Sequence, residues 1–294
     1  MTVAGGASSR EALDGAIDAL RAAGIEDPRL DAEVLLAEAT GLERAALIAG
    51  ADVEPAAGRR FGEMVRRRLR REPVAYIVGR KGFRGIELAV DSQVLIPRPE
   101  TELLVEVALE RRPATLLDVG TGSGAIALAL ATELPDCEVT ATDTSPSALG
   151  VARANAERLG LAERVRFLPG SLPPEEDFDL VLANLPYVAE SEWVSLQPEV
   201  TRWEPRQALL SGPEGLDAIR ELVAALLAHR SRHAGGTGAA VAQARHAAGG
   251  TVLALEIGAG QADAVEALMR DAGFDAIERR RDLARIERVV IGEL

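Results

Sequence analysis

The sequence predicts an α/β protein with a Rossmann-like sheet, mostly parallel but with an antiparallel final strand. A small all-helical N-terminal domain and a β-hairpin linker precede it. Three observations carry this reading. From Glu100 onward helical patterns alternate with short apolar runs, an order that calls for a parallel sheet covered on both faces. Thr115-Leu116-Leu117-Asp118-Val119 runs into Gly120-Thr121-Gly122-Ser123-Gly124 and then into helix-forming residues from Ala125 to Ala131, giving strand, glycine turn and helix start in succession. The two final strands, 276–280 and 286–291, are separated by too little chain for a crossover helix, so the last strand should be antiparallel to its neighbour. The expected division is 1–75 helical, 76–98 hairpin and 99–294 sheet domain.

The elements follow in order. Ser8 and Glu11 fit a capping box, and Leu13, Ile17 and Leu20 recur at helical spacing behind it. Helical patterns continue over 31–39, 43–48 and 59–69. Residues 83–90 and 94–97 read as two strands around Asp91-Ser92-Gln93, a hairpin joining the domains. In the sheet domain, Glu138-Val139-Thr140-Ala141-Thr142 is a strand ending at Asp143, and Ser145 with Pro146 caps the next helix. Phe178-Asp179-Leu180-Val181-Leu182-Ala183 is a buried strand ending at Asn184-Leu185-Pro186-Tyr187, and 252–257 is another. Between them Arg232-His233-Ala234-Gly235-Gly236-Thr237 is nearly repeated at Arg245-His246-Ala247-Ala248-Gly249-Gly250-Thr251. The pair reads as a tandem duplication in a loop, with a functional flap as the alternative.

Open α/β sheets bind ligands at the carboxyl ends of their strands. Three motifs fall there in succession. The alternating glycines let the backbone approach a nucleoside ligand, and the helix N-terminus behind them faces it. Their spacing is not the Gly-x-Gly-x-x-Gly of a dinucleotide site, which disfavours a nicotinamide dehydrogenase, and Asp118 just before them suits a cationic ligand. Asp143 stands where a carboxylate can accept both ribose hydroxyls. Asn184 offers an amide acceptor, and the Leu185 carbonyl offers a second, enough to grip both hydrogens of a planar NH2 group. Pro186 stiffens that loop and Tyr187 supplies an apolar face.

Together these motifs resemble class I S-adenosylmethionine methyltransferases acting on planar nitrogens. Further strings narrow the resemblance: Glu72-Pro73-Val74-Ala75-Tyr76-Ile77-Val78-Gly79, Leu95-Ile96-Pro97-Arg98-Pro99-Glu100-Thr101-Glu102, Glu204-Pro205-Arg206, Leu255-Glu256-Ile257-Gly258 and Asp282-Leu283-Ala284. They are similar to the glutamine N(5)-methyltransferases of peptide chain release factors, the PrmC/HemK family, over 9–290. The resemblance implies a class I methyltransferase fold and S-adenosyl-L-methionine as cofactor, held by Gly120, Thr121, Gly122, Ser123, Gly124, Asp143, Leu172 and Asn184. It further implies catalysis by Asn184, Leu185, Pro186 and Tyr187 on the Gly-Gly-Gln glutamine of class I release factors, which would dock on the helical domain. Two positions depart from the family pattern. Leu185 stands where proline is usual, which removes rigidity but keeps the carbonyl, and Ser171 stands where an acidic residue follows the third strand.

Composition is that of an ordinary globular protein, and a cytoplasmic location and a monomer are expected. The 294 residues are 47% apolar and 27% charged, enough for two cores. No apolar run is long enough to span a bilayer, and residues 1–6 carry no signal-peptide pattern. Cys137 is the one cysteine, which excludes an internal disulfide and a thiolate metal cluster and leaves it a packing role; His233 and His246 read as loop residues rather than ligands. The net charge of −13 argues against an extended nucleic-acid footprint, and with it against an adenine N6-methyltransferase, which uses a similar tetrad. Arg66, Arg67, Arg68, Arg70 and Arg71 read as a solvated helix face, with an acidic protein partner as the alternative. A glutamine methyltransferase of a ribosomal protein is chemically equivalent, and a nucleotide-sensing protein without catalysis would keep the glycine loop but would not need Asn184 and Tyr187.

Overall fold

The computed structural model describes residues 8–173, 176–233 and 250–294. Residues 234–249, which hold most of the near-duplicate pair and His246, lie outside the described residues. Two compact units are present. One comprises the described residues up to Arg80 together with Leu196–Trp203; the other comprises Lys81–Ser195 and Glu204–Leu294.

The first unit is helical: Ser9–Ala22, Pro28–Thr40, Arg44–Ala49, Pro55–Leu69 and Val74–Val78, joined by the late segment Pro198–Trp203. The capping box forms, since the Glu11 backbone N–H donates to Ser8 Oγ and the Ser8 N–H to Glu11 Oε2. Leu13, Ile17 and Leu20 share one buried face and meet Leu35, Leu36, Leu47 and Phe61 in a common core. Burying each leucine contributes about 1.5–3 kcal/mol, and truncating one such as Leu36 to alanine costs roughly 2–5 kcal/mol. The arginine run does not form a solvated face throughout. Arg66 and Arg70 are exposed, but Arg68 is buried between Asp31 at 2.6 Å and Glu199 at 2.7 Å, Arg71 reaches Glu199 at 2.9 Å, and Arg67 pairs with Glu72. Buried charge persists only when paired, and Glu199 thereby ties the late helix to the N-terminal ones.

The second unit opens with a hairpin of β1 (Arg80–Phe83) and β2 (Ile86–Ala89), displaced from the expected strands. Its turn is Arg84-Gly85, both at positive φ, the conformation that a two-residue hairpin requires. Residues 94–97 form no strand: the Ile96 N–H donates to the Glu204 carboxylate instead of a ladder, and Pro97 has no N–H to give. The main sheet contains β3 (Thr115–Val119), β4 (Glu138–Asp143), β5 (Val165–Pro169), β6 (Leu180–Ala183), β7 (Val252–Glu256), β8 (Asp275–Arg281) and β9 (Glu287–Glu293), in the order β5-β4-β3-β6-β7-β9-β8. The first five strands are parallel, and β9 lies antiparallel between β7 and β8, as the short connection requires. Helix Ala125–Glu133 is apolar all round and buried from Ala125 to Ala131, as a helix at the centre of such a domain must be. Register positions the site: Val119 pairs with both Thr142 and Ala183, so β3, β4 and β6 end level and deliver Gly120, Asp143 and Asn184 to one edge.

Candidate active site

At that edge lies a cavity of about 230 Å³. Of the residues singled out in the sequence, Gly120, Thr121, Gly122 and Ser123 line it from the loop after β3, and Asp143 from the end of β4. Asn184, Leu185 and Pro186 line it from the end of β6. Gly124, Leu172 and Tyr187 do not. Gly124 turns the chain at φ +85° into the helix, where a Cβ would meet Leu128 Cδ1 at 2.8 Å, so its smallness serves packing. Leu172 packs against the sheet core, while Ser171 lines the cavity.

The glycine loop is held almost wholly through its backbone. The N–H groups of Gly120 and Thr121 both donate to the Thr142 carbonyl at 2.9 Å. Asp143 accepts the Gly122 N–H on one carboxylate oxygen at 2.9 Å and the Ser145 N–H on the other at 2.8 Å. Each oxygen retains acceptor capacity toward a ligand. Asn155, fully buried, donates to the Ser123 carbonyl at 2.9 Å and exchanges two bonds with Ala89, which fastens β2 to the loop. That contact has no local signature in the sequence.

Asp118 does not face the cavity. It is fully buried beneath the loop, where one oxygen accepts the Thr121 hydroxyl at 2.7 Å and the Ala127 N–H at 3.2 Å. Burial pushes its carboxyl up to about 7, against the pull of those two bonds. Its part is to fix the loop to the start of the helix rather than to attract a cation.

The Asn184 end is held by side chains. Asn184 Nδ2 donates to the buried Thr101 hydroxyl oxygen at 2.9 Å, and Thr101 comes from the proline-arginine string. Leu185 lies against Gly120, where a Cβ would come within 3.2 Å of its Cδ2. Tyr187 turns away, its hydroxyl donating to Glu256 Oε1 at 3.4 Å and its ring passing 3.2 Å from the Cβ position that Gly258 leaves empty. The Tyr187 carbonyl accepts Gln261 Nε2 at 2.9 Å. Glu256 is buried at the end of β7, and burial raises its carboxyl to about 7. The same string is anchored from another side, because Arg98 lines the cavity and forms an ion pair at 2.5 Å with buried Glu204 of the Glu204-Pro205-Arg206 motif. The proline-arginine string and the Glu204-Pro205-Arg206 motif therefore meet at one cavity.

Two family models match the chain: the PrmC N-terminal domain over residues 11–79 and a methyltransferase domain over residues 116–203. A protein of Bordetella pertussis is 43% identical over 277 residues, covering 91% of this chain and 95% of that one. One of Caulobacter vibrioides is 39% identical over 291 residues, 96% and 95% of the two chains. A third, from Rhodopirellula baltica, is 45% identical over 225 residues, 72% and 76%. All three bear the name release factor glutamine methyltransferase. Among solved structures, the hMettl16 catalytic domain bound to the MAT2A 3'UTR hairpin 6 matches with a TM-score of 0.53 at 12% identity, over 84% of this chain and 85% of that one. A methyltransferase from Pyrococcus furiosus matches at 0.50 and 16% identity, over 71% and 89%. At such identities the likeness shows a methyltransferase fold alone.

Proposed function

The chain belongs to the release factor glutamine methyltransferases, and from that premise we propose that it methylates the side-chain amide nitrogen of the Gly-Gly-Gln glutamine in class I release factors, with S-adenosylmethionine as donor. The observation that carries this reading is the Asn184 amide held at the cavity beside the glycine loop. The donor set fits the cofactor. Both Asp143 oxygens keep acceptor capacity for ribose hydroxyls, and Gly120 and Gly122, at φ +75° and +56°, present backbone without side chains to the cavity. S-adenosylmethionine supplies, when bound, an electrophilic methyl on a sulfonium.

A glutamine amide nitrogen is a poor nucleophile because its lone pair is delocalised into the carbonyl. The Asn184 carbonyl oxygen and the Leu185 backbone carbonyl are positioned by this reading to accept its two hydrogens. Accepting them orients the nitrogen and stabilises positive charge as it develops there. Such fixed dipoles act without reorganising, so proximity and preorganisation supply the rate. The methylated nitrogen would then give up its extra proton to water, so no base needs to act before transfer. Arg98, Pro97 and Gln207 shape the rim that the substrate crosses.

Among the described residues no helix is long and apolar enough to cross a membrane. We take the reaction to be cytoplasmic, where release factors act. Substrate docking is assigned to the helical unit. Leu30 and Val34, four residues apart on helix Pro28–Thr40, are 50% and 38% exposed, an apolar pair suited to a protein surface. Replacing both with aspartate is expected to raise KM for an intact release factor severalfold and leave a short glutamine peptide unaffected. Equal loss on both substrates would remove the docking role.

The decisive experiment incubates the protein with methyl-labelled S-adenosylmethionine and purified release factors, a ribosomal protein fraction and RNA. Label on the release-factor glutamine amide is expected, located by fragment mass spectrometry. Label on a ribosomal protein or on adenine instead would overturn the assignment.

A further inference from the structure

One side-chain amide holds the far end of the Asn184-Leu185-Pro186-Tyr187 loop. Gln261 stands just ahead of helix Ala262–Asp271, and its backbone carbonyl accepts the Val265 N–H at 3.0 Å in the first turn of that helix. From this fixed base its side chain reaches the chain leaving β7 and the chain leaving β6. Gln261 Oε1 accepts the Gly258 N–H at 2.8 Å, and Nε2 donates to the Tyr187 carbonyl at 2.9 Å. The partners fix the sense of the amide, because a backbone N–H can only donate and a carbonyl can only accept. The Glu214 carbonyl, 3.5 Å from Nε2, is a further acceptor on the same side.

The surroundings are cut to fit this amide. Gly258 is not in the left-handed region, so its lack of a side chain answers to space: a Cβ there would come within 2.9 Å of Gln261 Oε1 and 3.2 Å of the Tyr187 ring. Gly215 approaches from another segment, where a Cβ would collide with the Tyr187 carbonyl and come within 2.9 Å of Gln261 Nε2. Gly215, Gly258 and Gln261 do not line the cavity. The next residue along the loop, Val188, donates to the Leu209 carbonyl at 2.8 Å and accepts the Ser211 N–H at 3.0 Å. Gln261 pins the chain one residue nearer the cavity.

We propose that Gln261 is a positioning residue for methyl transfer, setting the Leu185-Pro186-Tyr187 backbone so that the Leu185 carbonyl meets the substrate amide. Few torsions separate the two points. Pro186 has a fixed φ, and a residue before proline is confined to extended backbone, so the placement of the Tyr187 carbonyl is passed on to Leu185. The Leu255-Glu256-Ile257-Gly258 string thereby gains a use: its glycine seats the amide that holds the loop. The inference rests on the reading of Asn184 and Leu185 as the clamp on the substrate NH2, and the experiment tells the failure of one from that of the other.

Gln261→Glu keeps the acceptor for Gly258 and sets a second acceptor against the Tyr187 carbonyl. Kinetics with a release factor, cofactor affinity by calorimetry and melting temperature are read on it, on Gly258→Ala, whose methyl displaces the amide, and on Asn184→Ala. At pH 8, a kcat about tenfold below wild type is expected for Gln261→Glu and Gly258→Ala, with cofactor Kd within about twofold. As pH falls to about 5.5, the introduced carboxyl, raised by the carbonyls it faces, takes up a proton and can donate again. The ratio of its kcat to wild type should then rise about threefold or more. Glu256 on the Tyr187 hydroxyl and Arg220 on the Glu214 carboxylate are common to both enzymes and cancel in that ratio. In an Asn184→Ala background, Gln261→Glu is expected to cost at most about twofold further, because both changes act on one bound NH2 group. Wild-type kcat in Gln261→Glu and Gly258→Ala, beside a strongly impaired Asn184→Ala, would overturn the positioning role and leave the clamp standing. A loss that acid does not relieve, that adds fully to Asn184→Ala, or that cofactor Kd shares would overturn it too. An active Asn184→Ala enzyme would remove the clamp and this inference with it. If Gln261→Glu does not fold, Gln261→Met, which makes neither hydrogen bond, carries the kcat and Kd comparison.

Discussion

The two halves of the cavity are built from different materials. Around the glycine loop the bonds are made largely by main-chain groups: Gly120, Thr121 and Gly122 give N–H groups, Thr142 and Ser123 give carbonyls, and Asp143 collects the N–H groups of Gly122 and Ser145. Around Asn184 they are made by side chains, Asn184 to Thr101 and, behind them, Tyr187 to Glu256. A main-chain site is tied to the register of β3 and β4 and tolerates many side chains. A side-chain site can be placed atom by atom, but each member is then a separate point of failure. Binding a cofactor suits the first construction, and orienting one amide against another suits the second.

That contrast is open to direct test. Asn184→Ala strikes the side-chain half and should lower kcat about 10²–10³-fold while cofactor affinity, measured by calorimetry, stays within twofold. A comparable loss of both would mean that the halves are not separable. Asp143→Ala strikes a side chain on which the backbone half depends and which faces the cavity. Losing a charged acceptor for the ribose costs roughly 1.5–3 kcal/mol, about ten- to a hundredfold in cofactor Kd. The Gly122 and Ser145 N–H groups lose their partner as well, so unchanged affinity would show that the ribose binds elsewhere.

Each half also buries one acid, and pH should report them. Asp118 and Glu256 are both raised to about 7 by burial. A carboxyl whose folded value lies above its unfolded one contributes stability at acid pH that is lost as pH rises from the unfolded value through the folded one. Urea denaturation of the wild type should therefore lose stability between about pH 4 and pH 7, by an amount on the order of 1–3 kcal/mol per acid. Asp118→Asn and Glu256→Gln should each flatten part of that fall. Asp118→Asn should weaken cofactor affinity, because Asp118 holds the glycine loop through Thr121 and Ala127, whereas Glu256→Gln should leave that affinity unchanged. A pH-independent stability in the wild type would mean that neither acid is destabilised by its burial.

The smallest effect is expected where the halves meet. Leu185→Pro stiffens the unfolded chain by about 0.4–1 kcal/mol. It also removes the leucine that packs toward Gly120 and the sheet core. Melting temperature and kcat should both stay close to wild type. A folded but inactive Leu185→Pro would show that the loop depends on this leucine.

Much of this was legible in the chain itself. The alternation after Glu100, the level strand ends and the antiparallel β9 follow from local pattern and connection length. So does the meeting of Gly120, Asp143 and Asn184, because strand ends in a parallel sheet share an edge. The hairpin was misread for a physical reason: Ile86, Leu88 and Val90 alternate like a first strand, and an Arg-Gly turn at positive φ is a weaker signal than the Asp91-Ser92-Gln93 that instead forms a local turn onto Asp91. Asn155, Thr101 and Glu204 act through partners 32 to 108 residues away, and no window of sequence contains both ends of such a bond. The helix Pro198–Trp203 is too short to announce which core it joins.

That helix has a consequence in time. Arg68 is made early, and one of its two carboxylate partners, Glu199, lies 131 residues later in the chain. At ~5–20 residues per second a ribosome needs on the order of ten seconds to span that gap. Until then the nascent helical unit carries a guanidinium satisfied on one side only. The N-terminal unit thus reaches its final form after most of the sheet unit has been synthesised, and a stalled or truncated chain ending before Glu199 would present it incomplete.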